Sequence, residues 1–169
     1  MYYDSIAPGY NELHQAEQEK KIASIIKALA KIHLPPGDIL DVGAGTGFSL
    51  KHFSQATHRT CIGIEPSTGM IAHHQGPEKL IQGIAENLPF PDESFALVVS
   101  ITAIQNFDNI PQGIAEMKRV TKKNGYLFIT CLKKSPKISY VTASIGELLI
   151  VLSITEEEKD LIFCCKRSI

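Results

Sequence analysis

No other part of the sequence narrows the choice of fold as much as the run Asp41-Val42-Gly43-Ala44-Gly45-Thr46-Gly47. It follows directly on Ile39 to Val42, a short apolar run expected as a strand, and opens a helix expected over Phe48 to Phe53. A backbone without Cβ can turn tightly there and approach a ligand closely, while the free N–H groups of the following helix face the same crevice. This is where a doubly wound α/β sheet places its ligand. The spacing is D-x-G-x-G-x-G. A dinucleotide fingerprint, G-x-G-x-x-G, would need glycine where Phe48 stands, and a P-loop would need G-K-[ST], which is absent.

The rest of the chain repeats the alternation of strand and helix. Leu13, Ile22, Ile25, Ile26, Leu29 and Ile32 recur at helical spacing across Asn11 to Ile32, and Pro35-Pro36-Gly37 ends that helix. Cys61 to Ile64 reads as a second strand, Ser67 to His74 as a short helix, Leu80 to Ile84 as a weak strand and Phe95 to Ile101 as a strand covered on both faces. Pro111 suits the first turn of a helix with Asp108 or Asn109 as its cap, buried positions Ile114, Met117 and Val120, and an end at Asn124-Gly125. A fifth strand over Tyr126 to Cys131, a short helical piece over Ser139 to Ile145 and an antiparallel hairpin of Leu148 to Ile154 with Asp160 to Cys165 complete the pattern. Seven strands result. We expect one α/β domain over residues 1–169, with 1–33 as an N-terminal lid and helix segment.

Composition excludes several classes. The chain has 169 residues, with 17 Lys and Arg against 18 Asp and Glu, so its net charge of -1 gives no global footprint for nucleic acid or an anionic membrane. Its longest apolar stretches are broken by Ser or Thr and fall short of the roughly 18 residues of a membrane helix, so no span is expected. The four cysteines lack C-x-x-C spacing or a His partner, and with no signal-like start a cytoplasmic location is expected. His73-His74 is expected on a solvated face, because adjacent helical residues point apart, and no metal site is expected.

Ile39 to Gly47 resembles motif I of the class I S-adenosylmethionine-dependent methyltransferases, and the resemblance continues along nearly the whole chain. Gly63-Ile64-Glu65-Pro66-Ser67 is similar to the end of the family's second strand, where an acidic residue binds the ribose hydroxyls. Gly83 to Phe95, reading GIAENLPFPDESF, is similar to the adenine-binding segment of the ubiquinone/menaquinone biosynthesis type (methyltransferase type 11). The resemblance implies a Rossmann-like, doubly wound, mostly parallel sheet of order 3-2-1-4-5-7-6 with helices on both faces. It implies S-adenosylmethionine as cofactor and S-adenosylhomocysteine as product. The implied cofactor-binding residues are Tyr10, Asp41, Gly43, Ala44, Gly45 and Gly47 near the N-terminus, then Glu65, Pro66, Ser67 and Met70, then Ala85, Glu86, Asn87, Ser100 and Ile101. Tyr2-Tyr3-Asp4 through Tyr10-Asn11 resembles a segment that folds over the cofactor.

Three departures stand out. Ile84 replaces an Asp that many relatives carry before the Ala-Glu pair, leaving the adenine contact to Glu86 or to backbone. Ala96 replaces a common Asp, and the stretch between strands five and six is short, so a reduced last helix and an open substrate side are expected. Methyl transfer is an in-line displacement that needs alignment more than a strong base, so the catalytic group stays unassigned; Gln105, Asn106 and His14 are candidates for positioning the acceptor or taking a proton. Ser100 to Asn106 lacks the [DNS]-P-P-[YF] of amino-methylating enzymes. Lys118, Arg119, Lys122, Lys123, Lys133, Lys134 and Lys137 form a basic cluster that is a candidate to grip phosphate, chiefly through Lys133 and Lys134 just past strand five, and Cys131 is expected in the core.

The acceptor, small molecule or macromolecule, is unidentified at this level, and a homodimer or a partner subunit covering the open side is an expected possibility. Two alternatives remain: a non-catalytic methyltransferase-like binding subunit, and an NAD(P)-binding oxidoreductase, which Phe48 disfavours.

Overall fold

The computed structural model describes residues 10–168, with side chains from His14 onward. In chain order its elements are α1 (Tyr10–Leu29), β1 (Asp38–Val42), α2 (Phe48–Thr57), β2 (Cys61–Glu65), α3 (Thr68–Ala72) and β3 (Lys79–Gln82). There follow β4 (Phe95–Ser100), a 3-10 turn (Ile104–Asn106), α4 (Ile110–Val120), β5 (Thr121–Leu132), α5 (Ile138–Leu148), β6 (Leu149–Glu156) and β7 (Asp160–Arg167). The strands form one seven-stranded sheet of order β3-β2-β1-β4-β5-β7-β6. Its first five strands are parallel, and β7 runs antiparallel to both β5 and β6. This is the Rossmann-like doubly wound arrangement. The chain reverses its direction of travel across the sheet between β1 and β4, so a crevice opens at their carboxyl ends.

Strand parity divides the core into two layers. Leu40, Val98, Leu127, Ile129 and Phe163 pack with Ile114, Met117 and Val141 on one face, that of α4 and α5. Ile39, Leu97, Val99, Phe128 and Ile162 pack with Ile22, Ile25, Leu50 and Phe53 on the other, that of α1 and α2. Every residue of β4 is buried, as its unbroken apolar run requires. At α4, the Asn109 side chain accepts from Gln112 N, Pro111 occupies the first turn and Lys118 and Arg119 lie in the last.

The junction of α4 with β5 differs from expectation. The α4 helix ends at Val120 rather than at Asn124-Gly125, because the Thr121 hydroxyl donates to Met117 O and β5 starts at once. Pairing of β5 with β4 jumps from Phe95↔Thr121 to Leu97↔Tyr126, so residues 122–125 form an excursion within the strand, and Asn124-Gly125 makes its turn with Asn124 at φ 62°. The last helix, expected as a short piece over Ser139 to Ile145, runs for 11 residues as α5. Among the described residues, no helix is long and apolar enough to cross a membrane.

Candidate functional site

The glycine loop leaves β1 in the crevice and is tied to the neighbouring strand, Gly43 N and Ala44 N both donating to Ile64 O at 2.8 and 3.0 Å. Gly43 has φ 79°, and a Cβ added there would sit 2.4 Å from the Ala103 methyl, so the turn beyond β4 lies directly on the loop. Gly47 has φ 78°, and a Cβ on it would meet His74 Nδ1 at 2.5 Å. That imidazole is half-buried, and its two nitrogens lie 2.9 Å from Thr46 O and 2.8 Å from Glu78 O. Of the expected solvated pair only His73 is exposed; His74 braces the loop instead.

Two carboxylates flank the loop. Glu65 ends β2, is buried, and accepts from Gly45 N at 2.8 Å through one oxygen and from Ser67 N at 2.9 Å through the other. A carboxylate oxygen accepts more than one hydrogen bond, so Glu65 is a fixed pair of acceptors suited to vicinal hydroxyls. Asp41 shares the parity of Ile39 and points toward α2, where the Ser49 hydroxyl donates to its Oδ2. Among the described residues its buried Oδ1 has no hydrogen-bond partner. Burial pushes the Asp41 carboxyl up to about 7, the Ser49 bond opposing this and the Glu65 charge adding to it.

A cavity of about 510 Å³ opens against this loop. Of the residues expected at the site, Gly43, Gly45, Glu65, Pro66 and Met70 line one side, and Ala85, Glu86 and Ile101 line the other. Asp41 and Ala44 face a smaller recess between the loop and His14, Gln15 and Gln18 of α1. The remaining expected residues with described side chains are off these walls. Gly47 lies beneath His74, Ser67 caps α3 by accepting from Met70 N, Asn87 is exposed with its N–H donating to Ile84 O, and Ser100 is buried with a hydroxyl unpartnered among the described residues. Tyr10 begins α1, but its side chain, like residues 1–9 of the expected lid, lies outside the described residues.

The far side of the cavity continues along Thr102, Ala103, Gln105, Asn106 and Phe107 to Lys137. Gln105 donates to Thr102 O at 2.9 Å. Ile84, standing where many relatives have Asp, is half exposed at the mouth. The basic cluster is largely absorbed by the fold: Lys133 pairs with Glu156 at 3.3 Å, Lys122 donates to Pro36 O and Lys118 to the Ser168 hydroxyl. Lys133 and Lys134, the chief candidates to grip phosphate, are not among the residues that line the cavity; of the cluster it is Lys137 that does, among the described residues. Cys131 is a core thiol, pushed up to about 11 by burial.

Sequence reasoning missed a buried polar group beside this wall. Lys21 and Asp160, with side chains 4% and 1% exposed, pair at 2.9 Å, and both contact the Thr102 hydroxyl. The signal was available in register: Lys21 stands four residues before buried Ile25 in α1, and Asp160 two before buried Ile162 in β7.

Residues 40–129 match the family described as methyltransferase domain, and the chain belongs to that family. It is 35% identical over 95 residues, 52% of this chain and 37% of the relative, to the uncharacterized methyltransferase YcgJ of Bacillus subtilis. It is 34% identical over 153 residues, 81% of this chain and 59% of the relative, to the demethylmenaquinone methyltransferase of Symbiobacterium thermophilum. The chain thus spans about half the length of the curated relatives it matches. Among solved structures, a chain of the Haloferax volcanii complex between the Trm112 methyltransferase activator and a methyltransferase superposes with a TM-score of 0.79 at 15% identity, covering 99% of this chain and 98% of that one, which shows a shared fold.

Proposed function

We propose that this protein is an S-adenosylmethionine-dependent methyltransferase that binds its cofactor along the glycine loop and transfers a methyl group to an acceptor entering past Thr102 to Lys137. The observation that carries this reading is Glu65, whose carboxylate is held by Gly45 N and Ser67 N at the cavity wall, in position to accept from a ribose diol. Among the described residues the Asp41 Oδ1 is without a partner, which fits a donor arriving at the loop. Met70, Ala85 and Ile101 offer apolar surface to a purine and to the carbon chain of the cofactor, and Glu86 and the backbone beside Ile84 supply polar contacts at the mouth. When bound, the cofactor supplies a sulfonium-activated methyl carbon. The protein's part is to hold donor and acceptor in line and keep water out, with Gln105 and Asn106 orienting the acceptor.

Isothermal titration with S-adenosylmethionine and S-adenosylhomocysteine, repeated on Asp41→Ala and Gly43→Val and with NAD as control, tests the proposal. We expect binding that both substitutions abolish and no NAD binding. Wild-type protein that binds neither compound would sink it.

A second reading, a methyltransferase-like domain completed by another chain, draws on two observations. A structural neighbour was solved with an activator, and β6 presents Ile150, Leu152 and Ile154, each about half exposed, at the sheet edge. Cofactor binding without turnover of any small acceptor by the isolated chain would favour it.

A further inference from the structure

Thr102 is a β-branched residue at φ 53°, in the left-handed region that such side chains avoid. Its turn is what carries the chain from the end of β4 back over the glycine loop, bringing the Ala103 methyl onto Gly43. Strain of this kind persists only where the surroundings over-determine it, and here they do. Lys21 Nζ donates to the Thr102 hydroxyl at 2.7 Å, that hydroxyl donates to Asp160 Oδ1 at 3.0 Å, and Thr102 N donates to the Thr130 hydroxyl at 2.8 Å. The Lys21–Asp160 pair closes the group at 2.9 Å.

The three supports come from α1, β5 and β7, and no described side chain of these elements lines the larger cavity. Thr130 and Asp160 share the parity of Phe128 and Ile162, which places them on the face where α1 packs. The α1 helix is further fastened to the β6–β7 turn by Lys20 with Glu158, Lys159 with Glu17 and Ser24 with Glu157. The same helix presents His14, Gln15 and Gln18 to the recess beside Asp41.

We infer that Lys21 and Asp160 are positioning residues of the methyl-transfer site, holding Thr102 in its left-handed turn so that Ala103 closes on Gly43 and shapes the boundary between cofactor and acceptor. This rests on the reading proposed above. A buried ion pair is a poor source of net stability, since desolvation offsets its attraction, but it fixes geometry well. Its value here lies in the turn it holds.

The experiment compares Thr102→Val with Thr102→Gly. Valine keeps the β-branch and removes the hydroxyl that Lys21 and Asp160 grip; glycine adopts a left-handed φ without help. Two readouts are taken: the nuclear Overhauser contact between the Ala103 methyl and the Gly43 α-protons in the ligand-free protein, and the calorimetric affinity for S-adenosylhomocysteine. Thr102→Val is expected to lose the contact and about tenfold in affinity, while Thr102→Gly keeps the contact.

From the other side, Lys21→Met with Asp160→Asn removes both charges together and is expected to lose the contact, and Thr102→Gly added to that pair restores it. Retention of contact and affinity in Thr102→Val, or failure of glycine to restore the contact, overturns the inference. Wild-type protein that shows the contact but binds no S-adenosylhomocysteine refutes the proposed function instead, and the contact measurements still decide this one.

Discussion

Arg119 reaches both carboxylate oxygens of Glu116, three residues earlier on α4, through Nε at 2.7 Å and Nη2 at 2.8 Å. The same guanidinium donates to Leu88 O at 3.1 Å, Phe90 O at 2.8 Å and Asp92 Oδ1 at 2.9 Å, while Glu116 accepts from Leu88 N at 2.9 Å. The pairing holds the Glu116 carboxyl below its ordinary range, with the Arg119 bonds the largest cause. One side chain therefore staples the segment that follows Ala85 and Glu86 on the cavity wall. Arg119→Met should cost about 1–2 kcal/mol in urea unfolding, the lower part of the usual range because the side chain is 31% exposed. Amide exchange at residues 88–92 should accelerate in the same variant, and unchanged exchange would contradict the staple.

Gly43 and Gly146 make a matched pair. Alanine at 43 would collide with the Ala103 methyl at a backbone angle L-residues avoid, whereas a Cβ at 146 meets nothing within 4 Å on exposed α5. Gly43→Ala should abolish S-adenosylhomocysteine binding, and Gly146→Ala should leave binding intact and stabilise by about 0.5–1 kcal/mol. Calorimetry and thermal melts of the two variants check this.

Glu65→Gln should weaken S-adenosylhomocysteine binding by at least about tenfold, because an amide turns its NH₂ group toward either Gly45 N or Ser67 N and loses one of the two anchors. A variant that binds as wild type would show that the diol is held elsewhere.

Asp41 gives a pH signature. Its native carboxyl sits near 7 against an ordinary 3.8, so between those values the folded state retains a proton the unfolded chain has released. The associated stability is fully present below about pH 4 and is lost as the pH rises through about 7. Asp41→Asn should therefore raise the melting temperature at pH 8 by at least about 3 °C relative to wild type, with a smaller gain at pH 5. An equal gain at both values would place the titration on another group.

The parts of this molecule legible in the sequence are those written in short spans. The glycine loop, the acidic end of β2 and the buried run of β4 each declare themselves within a dozen residues, and the alternation of strand and helix orders them. What escaped depends on distant partners. Lys21 sits in a Glu- and Lys-rich helix whose other described charges are at least partly exposed, and its register with Ile25 sets it apart. His74 looked like a surface residue because the carbonyls it braces belong to Thr46 and Glu78, on two separate loops. Asn124-Gly125 is a true turn signal, but it turns within β5 instead of ending α4.

The Lys21–Asp160 pair joins the first described helix to the last described strand, and this sets an order of events during synthesis. The glycine loop, Glu65 and the Thr102 segment all leave the ribosome before Asp160 does, while Lys21 waits without its counter-charge. A nascent chain arrested short of β7 would carry every loop residue and still have an unlatched wall, so competence to capture a ligand should arrive late, with the closing hairpin.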